Sequence, residues 1–151
     1  MESAACPVLP LALTEPCAPK RVLLVEDDLS LEQMFDAVFH DIDPEIEVEW
    51  VTSAEEALKR IEHATMTRQG GLPFDLLVID IFLDGVLNGA DLWKQCHRRF
   101  PGMPAVVISA LPWYRFHEFI ETRQDRPRYI EKPLRLNECR QTLRQMIYRA
   151  R

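Results

Sequence analysis

The sequence has no surplus of positive charge. Its 151 residues carry 18 Lys and Arg against 24 Asp and Glu, a formal net charge of -6. Non-specific nucleic-acid binding needs a basic surface, so no direct nucleic-acid binding is expected. There is no apolar run near the roughly 20 residues that span a bilayer, so no membrane insertion is expected. The first residues lack a positive region followed by a long apolar stretch, so we expect no secretory signal and a cytoplasmic location. Cysteine is sparse. Cys6, Cys17, Cys96 and Cys139 include no close pair of metal-ligand spacing. Cys96 and Cys139 fall inside amphipathic patterns and read as buried free thiols, which suits a reducing compartment. His40, His63, His97 and His117 are scattered without a ligand partner, so no zinc site is expected.

What is present is an ordinary apolar fraction and enough length for one domain with a real core. Residues 1–19 hold Pro7, Pro10, Pro16 and Pro19, which interrupt any regular element, and read as a mobile extension. Residues 20–151 read as the domain. Phe74-Asp75-Leu76-Leu77-Val78-Ile79-Asp80 is its organising stretch. A short unalternating apolar run with turn signals on both sides reads as a strand buried on both faces, the kind found in parallel sheets. Arg21-Val22-Leu23-Leu24-Val25 is a second such run and ends in Glu26-Asp27-Asp28. Ile46 to Val51 alternates with acids and suggests a strand with a wetter face. Pro104 to Ala110 and Tyr129-Ile130 supply the fourth and fifth strands.

Helical spacing separates these runs. Leu31, Met34, Phe35 and Val38 mark the first helix, with Asp28 able to cap it. Ser53 and Glu56 form a capping box for the second, which buries Ala57, Leu58 and Ile61. Leu92 and Cys96 mark a third, stopped by Phe100-Pro101-Gly102. Phe116, Phe119 and Ile120 fit one helical face within 112–122, and Leu136, Cys139, Leu143 and Ile147 make the last helix. Alternating strands and helices imply an α/β fold with a parallel sheet covered on both faces. Right-handed crossovers and this size point to the doubly wound, three-layer flavodoxin-like order 2-1-3-4-5. That order sets strands one and three side by side, so Glu26, Asp27 and Asp80 meet at the carboxyl ends of the strands.

Taken singly, each of these residues has a plain structural reading. Asp80 can be a turn former, Glu26 and Asp27 a solvated acid run, Lys132 a surface lysine, Ser109 a cap, Tyr129 half-buried packing. All of them fall at strand ends, and that conjunction favours chemistry. Clustered carboxylates repel unless a proton or a cation neutralises them. Oxygen donors suit magnesium or manganese. Asp80 then keeps an oxygen free as a nucleophile toward a phosphoryl group. Lys132 and Ser109 can contact that group, and Tyr129 can shift as the loop after the fourth strand moves.

These segments together resemble the receiver domain of two-component response regulators, the CheY-like superfamily. Val22 to Asp28 resembles its first strand and acid pair, Leu77-Val78-Ile79-Asp80 its acceptor strand, Val107-Ile108-Ser109-Ala110 its hydroxyl strand, and Tyr129-Ile130-Glu131-Lys132-Pro133 its switch aromatic and lysine-proline segment. The resemblance covers about residues 20–149. It implies that Asp80 takes a phosphoryl group from a sensor histidine kinase or a histidine phosphotransfer protein. It implies direct Mg2+ ligation by Asp27, Asp80 and the Phe82 carbonyl, with Glu26 acting through water. Ser109 and Lys132 would contact the phosphoryl group, Ser109 and Tyr129 would form the switch, and the Lys132-Pro133 bond would be cis.

The same resemblance implies phosphotransfer to the protein's own acid with slow autodephosphorylation, a downstream protein target, and no small-molecule turnover. A stand-alone receiver and a receiver with an output segment outside this sequence both stay open. So does a receiver-like interaction module independent of phosphorylation. A small-molecule phosphohydrolase needs an acid-base group two residues past the nucleophile, where Phe82 stands.

Two departures from the family pattern stand out. Asp84-Gly85 replaces the usual proline region, and Asn88-Gly89 follows with one inserted residue. Gln124-Asp125-Arg126-Pro127-Arg128 replaces a short turn. With Trp113, Tyr114, Phe116 and Phe119 upstream, it marks the face of the fourth helix, fifth strand and fifth helix as a partner or homodimer surface.

Overall fold

Each apolar run becomes a strand in the computed structural model, which describes residues 18–68, 70–118, 120 and 126–149. The strands are β1 (Arg21–Val25), β2 (Glu47–Val51), β3 (Leu76–Asp80), β4 (Ala105–Ser109) and β5 (Arg128–Glu131). The helices are α1 (Glu32–Ile42), α2 (Ala54–Thr67), α3 (Gly89–Arg99), α4 (Trp113–Phe116) and α5 (Leu136–Ile147). All strand pairs are parallel, in the order β2-β1-β3-β4-β5. The expected doubly wound α/β fold is the one observed.

Alternate residues of the central strands point to opposite faces. Leu23, Val25, Leu77, Ile79 and Val107 pack on one side with Ala57 and Ile61 of α2 and Leu92 and Trp93 of α3. Val22, Leu24, Val78, Val106 and Ile108 pack on the other with Phe35 and Val38 of α1 and Leu143 of α5. β3 and β4 are buried along their whole length, as strands covered on both faces must be. β2 lies at the edge and keeps the wetter pattern, with Glu47 exposed and Arg21 bonded to Glu49 at 3.2 Å.

Local signals account for most helix starts. Ser53 Oγ accepts from the Glu56 N–H at 3.1 Å, but Glu56 returns its carboxylate to the Thr52 N–H at 3.3 Å, one residue upstream of the expected partner. Asp28 caps a 3-10 turn over Leu29–Leu31 that leads into α1. Asn88 and Asp91 form a full capping box for α3, so Asn88-Gly89 is a helix start as well as a turn signal. The buried Asp75 accepts from the Arg21 N–H at 2.8 Å and pairs with Arg68 at 3.5 Å, tying the start of β1 to β3.

Among the described residues of the helix expected within 112–122, regular helix covers Trp113–Phe116. Phe116 and Ile120 are both buried, four residues apart as expected, while Phe119 lies outside the described residues. One turn cannot sustain itself by its own hydrogen bonds. It is held from outside, by Glu131 accepting the Trp113 N–H at 2.8 Å and by the Phe116 ring against Tyr129. The expected extension lies outside the described residues up to residue 17, including Cys6 and Cys17. The charged turn is described only from Arg126 onward. Among the described residues, no helix is long and apolar enough to cross a membrane.

Cys96 and Cys139 are free and buried. Burial pushes the Cys96 thiol up to about 12 and the Cys139 thiol up to about 11. Since the thiolate is the reactive form, iodoacetamide at pH 8 is expected to leave both unmodified in the native protein and to alkylate both after denaturation. Peptide mass spectrometry checks this, and native Cys139 reacting like a small free thiol would contradict it.

Candidate functional site

The parallel sheet delivers the ends of β1, β3, β4 and β5 to one edge. Val25 pairs with Ile79, Asp80 with Ile108, and Ser109 with Glu131. The residue after β1 is therefore beside the last residue of β3, and the residue after β5 follows close by. Glu26, Asp27 and Asp80 are brought together so that a carboxylate oxygen from each lies within 4.8 Å of the others. Glu26 and Asp80 are buried, at 0% and 4% exposure. Asp27 is half-buried.

Lys132 reaches back into this cluster from the end of β5. Its ammonium donates to Glu26 Oε2 at 3.0 Å and to Asp80 Oδ2 at 3.1 Å. The Asp28 N–H supports the other Glu26 oxygen at 3.1 Å, and the Phe82 N–H supports Asp80 Oδ1 at 3.2 Å. Burial, with the charge of Asp80, pushes the Glu26 carboxyl up to about 7 against the opposing pull of Lys132 and the Asp28 N–H. For Lys132, burial disfavours the ammonium, but the hydrogen bonds to Glu26 and Asp80 outweigh it and raise its pKa. One ammonium thus serves two buried acids, and a third acid stands beside them. The donor set is all hard oxygen with surplus negative charge, which fits a hard divalent cation rather than zinc.

Ser109 is fully buried at the end of β4, and its hydroxyl accepts the Leu111 N–H at 3.1 Å. This contact ties Ser109 to the loop after β4. Tyr129 donates its phenol to the Leu111 carbonyl, and its ring lies 4.6 Å from that of Phe116. Burial raises the phenol pKa, opposed by a hydrogen bond with Ser109. Ser109 and Tyr129 therefore grip the same loop, from the acceptor side and from β5. The Lys132-Pro133 bond is cis. Phe82 turns a half-exposed ring to solvent.

Sequence reasoning missed the supports of the loop after Asp80. The Asp84 N–H donates to Asp27 Oδ2 at 3.3 Å, and Glu55 of α2 accepts the Val86 and Leu87 N–H groups at 3.1 and 3.0 Å. Glu55 is an acid in the first turn of α2, and nothing in its spacing signals a loop 31 residues away. Gly89 is the closest point of the loop. Its N–H donates to the Ile81 carbonyl at 2.8 Å, and a Cβ there would lie 2.0 Å from the Asp80 carbonyl oxygen.

The family model described as the response regulator receiver domain matches residues 22–144. Solved structures match most of the chain. A CheY-like response regulator receiver domain protein from Methanospirillum hungatei JF-1 aligns with TM-score 0.68 and 23% identity, covering 85% of this chain and 94% of that one. The non-phosphorylated HemR receiver domain from Leptospira biflexa aligns with TM-score 0.64 and 27% identity, covering 87% and 97%. The signal receiver domain of an HD domain-containing protein from Pseudomonas fluorescens Pf-5 aligns with TM-score 0.71 and 18% identity, covering 91% and 93%. The likeness is one of fold.

Two outcomes follow from the site geometry. Gly89→Ala forces backbone against backbone, so we expect a loss of roughly 1–3 kcal/mol or more in denaturant unfolding; an unchanged midpoint would refute the close packing. Glu26 carries a folded-state pKa of about 7 against an ordinary 4.5. The folded chain then holds this proton more tightly than the unfolded one, so the contribution is full below pH 4.5 and lost as pH rises through 7. With divalent cations chelated, the melting temperature of Glu26→Gln relative to the parent is expected to climb between pH 5 and 8. A flat difference would contradict the burial effect.

Proposed function

The chain belongs to the response regulator receiver domain family, and we propose that it is a phosphoryl-accepting switch with Asp80 as acceptor. The observation that carries this is the double contact of Lys132 with Glu26 and Asp80, beside Asp27, at the carboxyl edge of a parallel sheet. With a divalent cation offsetting the surplus negative charge, a buried acid already held by a lysine is suited to receive a group that is itself anionic.

In this reading the donor is a phosphohistidine of a sensor histidine kinase or a histidine phosphotransfer protein. An Asp80 oxygen attacks phosphorus in line. The P–O bond forms as the P–N bond breaks, and the imidazole nitrogen keeps the electron pair. Asp27, Asp80 and the Phe82 carbonyl would hold a magnesium or manganese ion directly, with Glu26 acting through water. When bound, that ion supplies positive charge to the transferring oxygens. Lys132 is already hydrogen-bonded to Asp80 Oδ2 and passes to a phosphoryl oxygen. Ser109 accepts from the Leu111 N–H and is hydrogen-bonded to Tyr129, so turning its hydroxyl to a phosphoryl oxygen breaks the bond to Tyr129. Drawing Ser109 inward pulls on the loop that Tyr129 also holds.

The output is a changed protein surface rather than turnover of a small molecule. We place it on the face of α4, β5 and α5, where Trp113 and Tyr114 are exposed, with a downstream protein or a second copy as partner. Free buried thiols suit a cytoplasmic setting.

The test is intact-mass spectrometry after incubation with Mg2+ and a small phosphoryl donor. One phosphoryl adduct is expected on the parent and none on Asp80→Asn. No adduct on the parent, even with a histidine-phosphorylated donor protein, leaves a phosphorylation-independent interaction module. Rapid turnover of unrelated phosphate esters points instead to a hydrolase.

A further inference from the structure

The loop between Asp80 and α3 is pinned through its backbone. The Phe82 N–H is on Asp80, the Asp84 N–H on Asp27, and the Val86 and Leu87 N–H groups on Glu55. Leu83 and Leu87 pack on the core below, while Val86 is 93% exposed. Glu55 is the one of these acceptors outside the acid cluster, and it comes from a different element, the first turn of α2.

Its fit to the loop is specific. A single oxygen, Oε1, takes two successive N–H groups. The residue before them is Gly85, at φ +115, where a Cβ would stand 2.9 Å from Glu55 Oε2. A side chain at this position would push the carboxylate out of its place, and glycine takes that φ without strain. Asp84 immediately precedes this turn, and its N–H is the bond that reaches Asp27. A loop with an added residue has more conformations to exclude, and here the exclusion comes from α2.

We propose that Glu55 is a positioning residue for the cation site: by holding the Gly85–Leu87 turn it keeps the Asp84 N–H on Asp27, and so keeps the Asp27 carboxylate beside Glu26 and Asp80, a role that rests on the acceptor-site reading given above. Glu55 is not one of the carboxylates gathered at the site. It acts through backbone, in the way supporting residues around a metal site orient the ligands.

The test uses the full chain in three variants and two readouts. Backbone amide exchange is followed by NMR in cation-free protein, and the Mg2+ dissociation constant is measured by titration calorimetry. Glu55→Ala is expected to speed exchange at Asp84, Val86 and Leu87 and to raise the dissociation constant about tenfold. Glu55→Gln offers an amide oxygen to the same two N–H groups and is expected to stay within about threefold of the parent. Glu62→Ala removes the 2.5 Å pair with Arg99 between α2 and α3 and is expected to leave both readouts unchanged. Three results overturn the role: Glu55→Ala binding Mg2+ like the parent, Glu55→Gln falling as far as Glu55→Ala, or Glu62→Ala causing the same loss. A parent that binds no Mg2+ overturns the cation site as well, whereas a binding parent beside an unchanged Glu55→Ala overturns the positioning role alone.

Discussion

Repulsion among Glu26, Asp27 and Asp80 is the constraint to which the rest of the molecule answers. Two like charges about 4 Å apart in partly buried surroundings oppose each other by about 4 kcal/mol, and here a carboxylate oxygen from each of the three residues lies within 4.8 Å of the others. A fixed backbone holds such a cluster against the repulsion that a proton, a cation or an ammonium does not offset. The fixing comes from β1 and β3, whose register sets Val25 opposite Ile79. Their apolar residues are buried on both faces between α1 and α5 on one side and α2 and α3 on the other. Hydrophobic burial thus stabilises an arrangement that electrostatics alone opposes. Lys132, from a strand two places away in the sheet, then offsets part of the charge.

The strand frame was legible because buried parallel strands have a simple signature, a short aliphatic run between turn residues. Val22 to Val25, Leu76 to Ile79 and Ala105 to Ile108 all carry it, and the sheet order followed from chain length and crossover handedness. The gathering of Glu26, Asp27, Asp80 and Lys132 was legible for the same reason, since each closely follows or ends such a run. Ser109 does end β4, whereas Tyr129, expected at a strand end, lies inside β5, and sequence could not say that both would hold the Leu111 segment.

What stayed hidden are contacts made by backbone groups to distant side chains. Glu55 meets Val86 and Leu87, Glu131 meets Trp113, and Asp75 meets Arg21 across 54 residues. A hydrogen bond from an amide leaves no residue type to read at the donor's position, so only the acceptor is visible, and an acid in a first helical turn already has a sufficient local explanation. Helix α4 failed for a related reason. Phe116 and Ile120 have the right spacing, yet regular helix ends after one turn, because that segment is stabilised by β5 and not by its own length.

Alternation along β5 joins these observations. Tyr129 and Glu131 share one side of the strand and hold the start of α4, through the Leu111 carbonyl and the Trp113 N–H. Ile130, between them, packs into the core on the opposite face of the sheet. Lys132, the next residue, is on Glu26 and Asp80. Four consecutive residues therefore hold the acid cluster at one end and the exposed Trp113 turn at the other, with a core anchor in the middle. A change in charge at Asp80 changes what Lys132 bonds to, and Lys132 directly follows Tyr129–Glu131, whose side chains grip the start of α4. The Trp113 turn, a single turn of helix without a side-chain cap of its own, is the least self-supporting element in contact with that strand. It is where a redistribution of hydrogen bonds along β5 meets the least resistance.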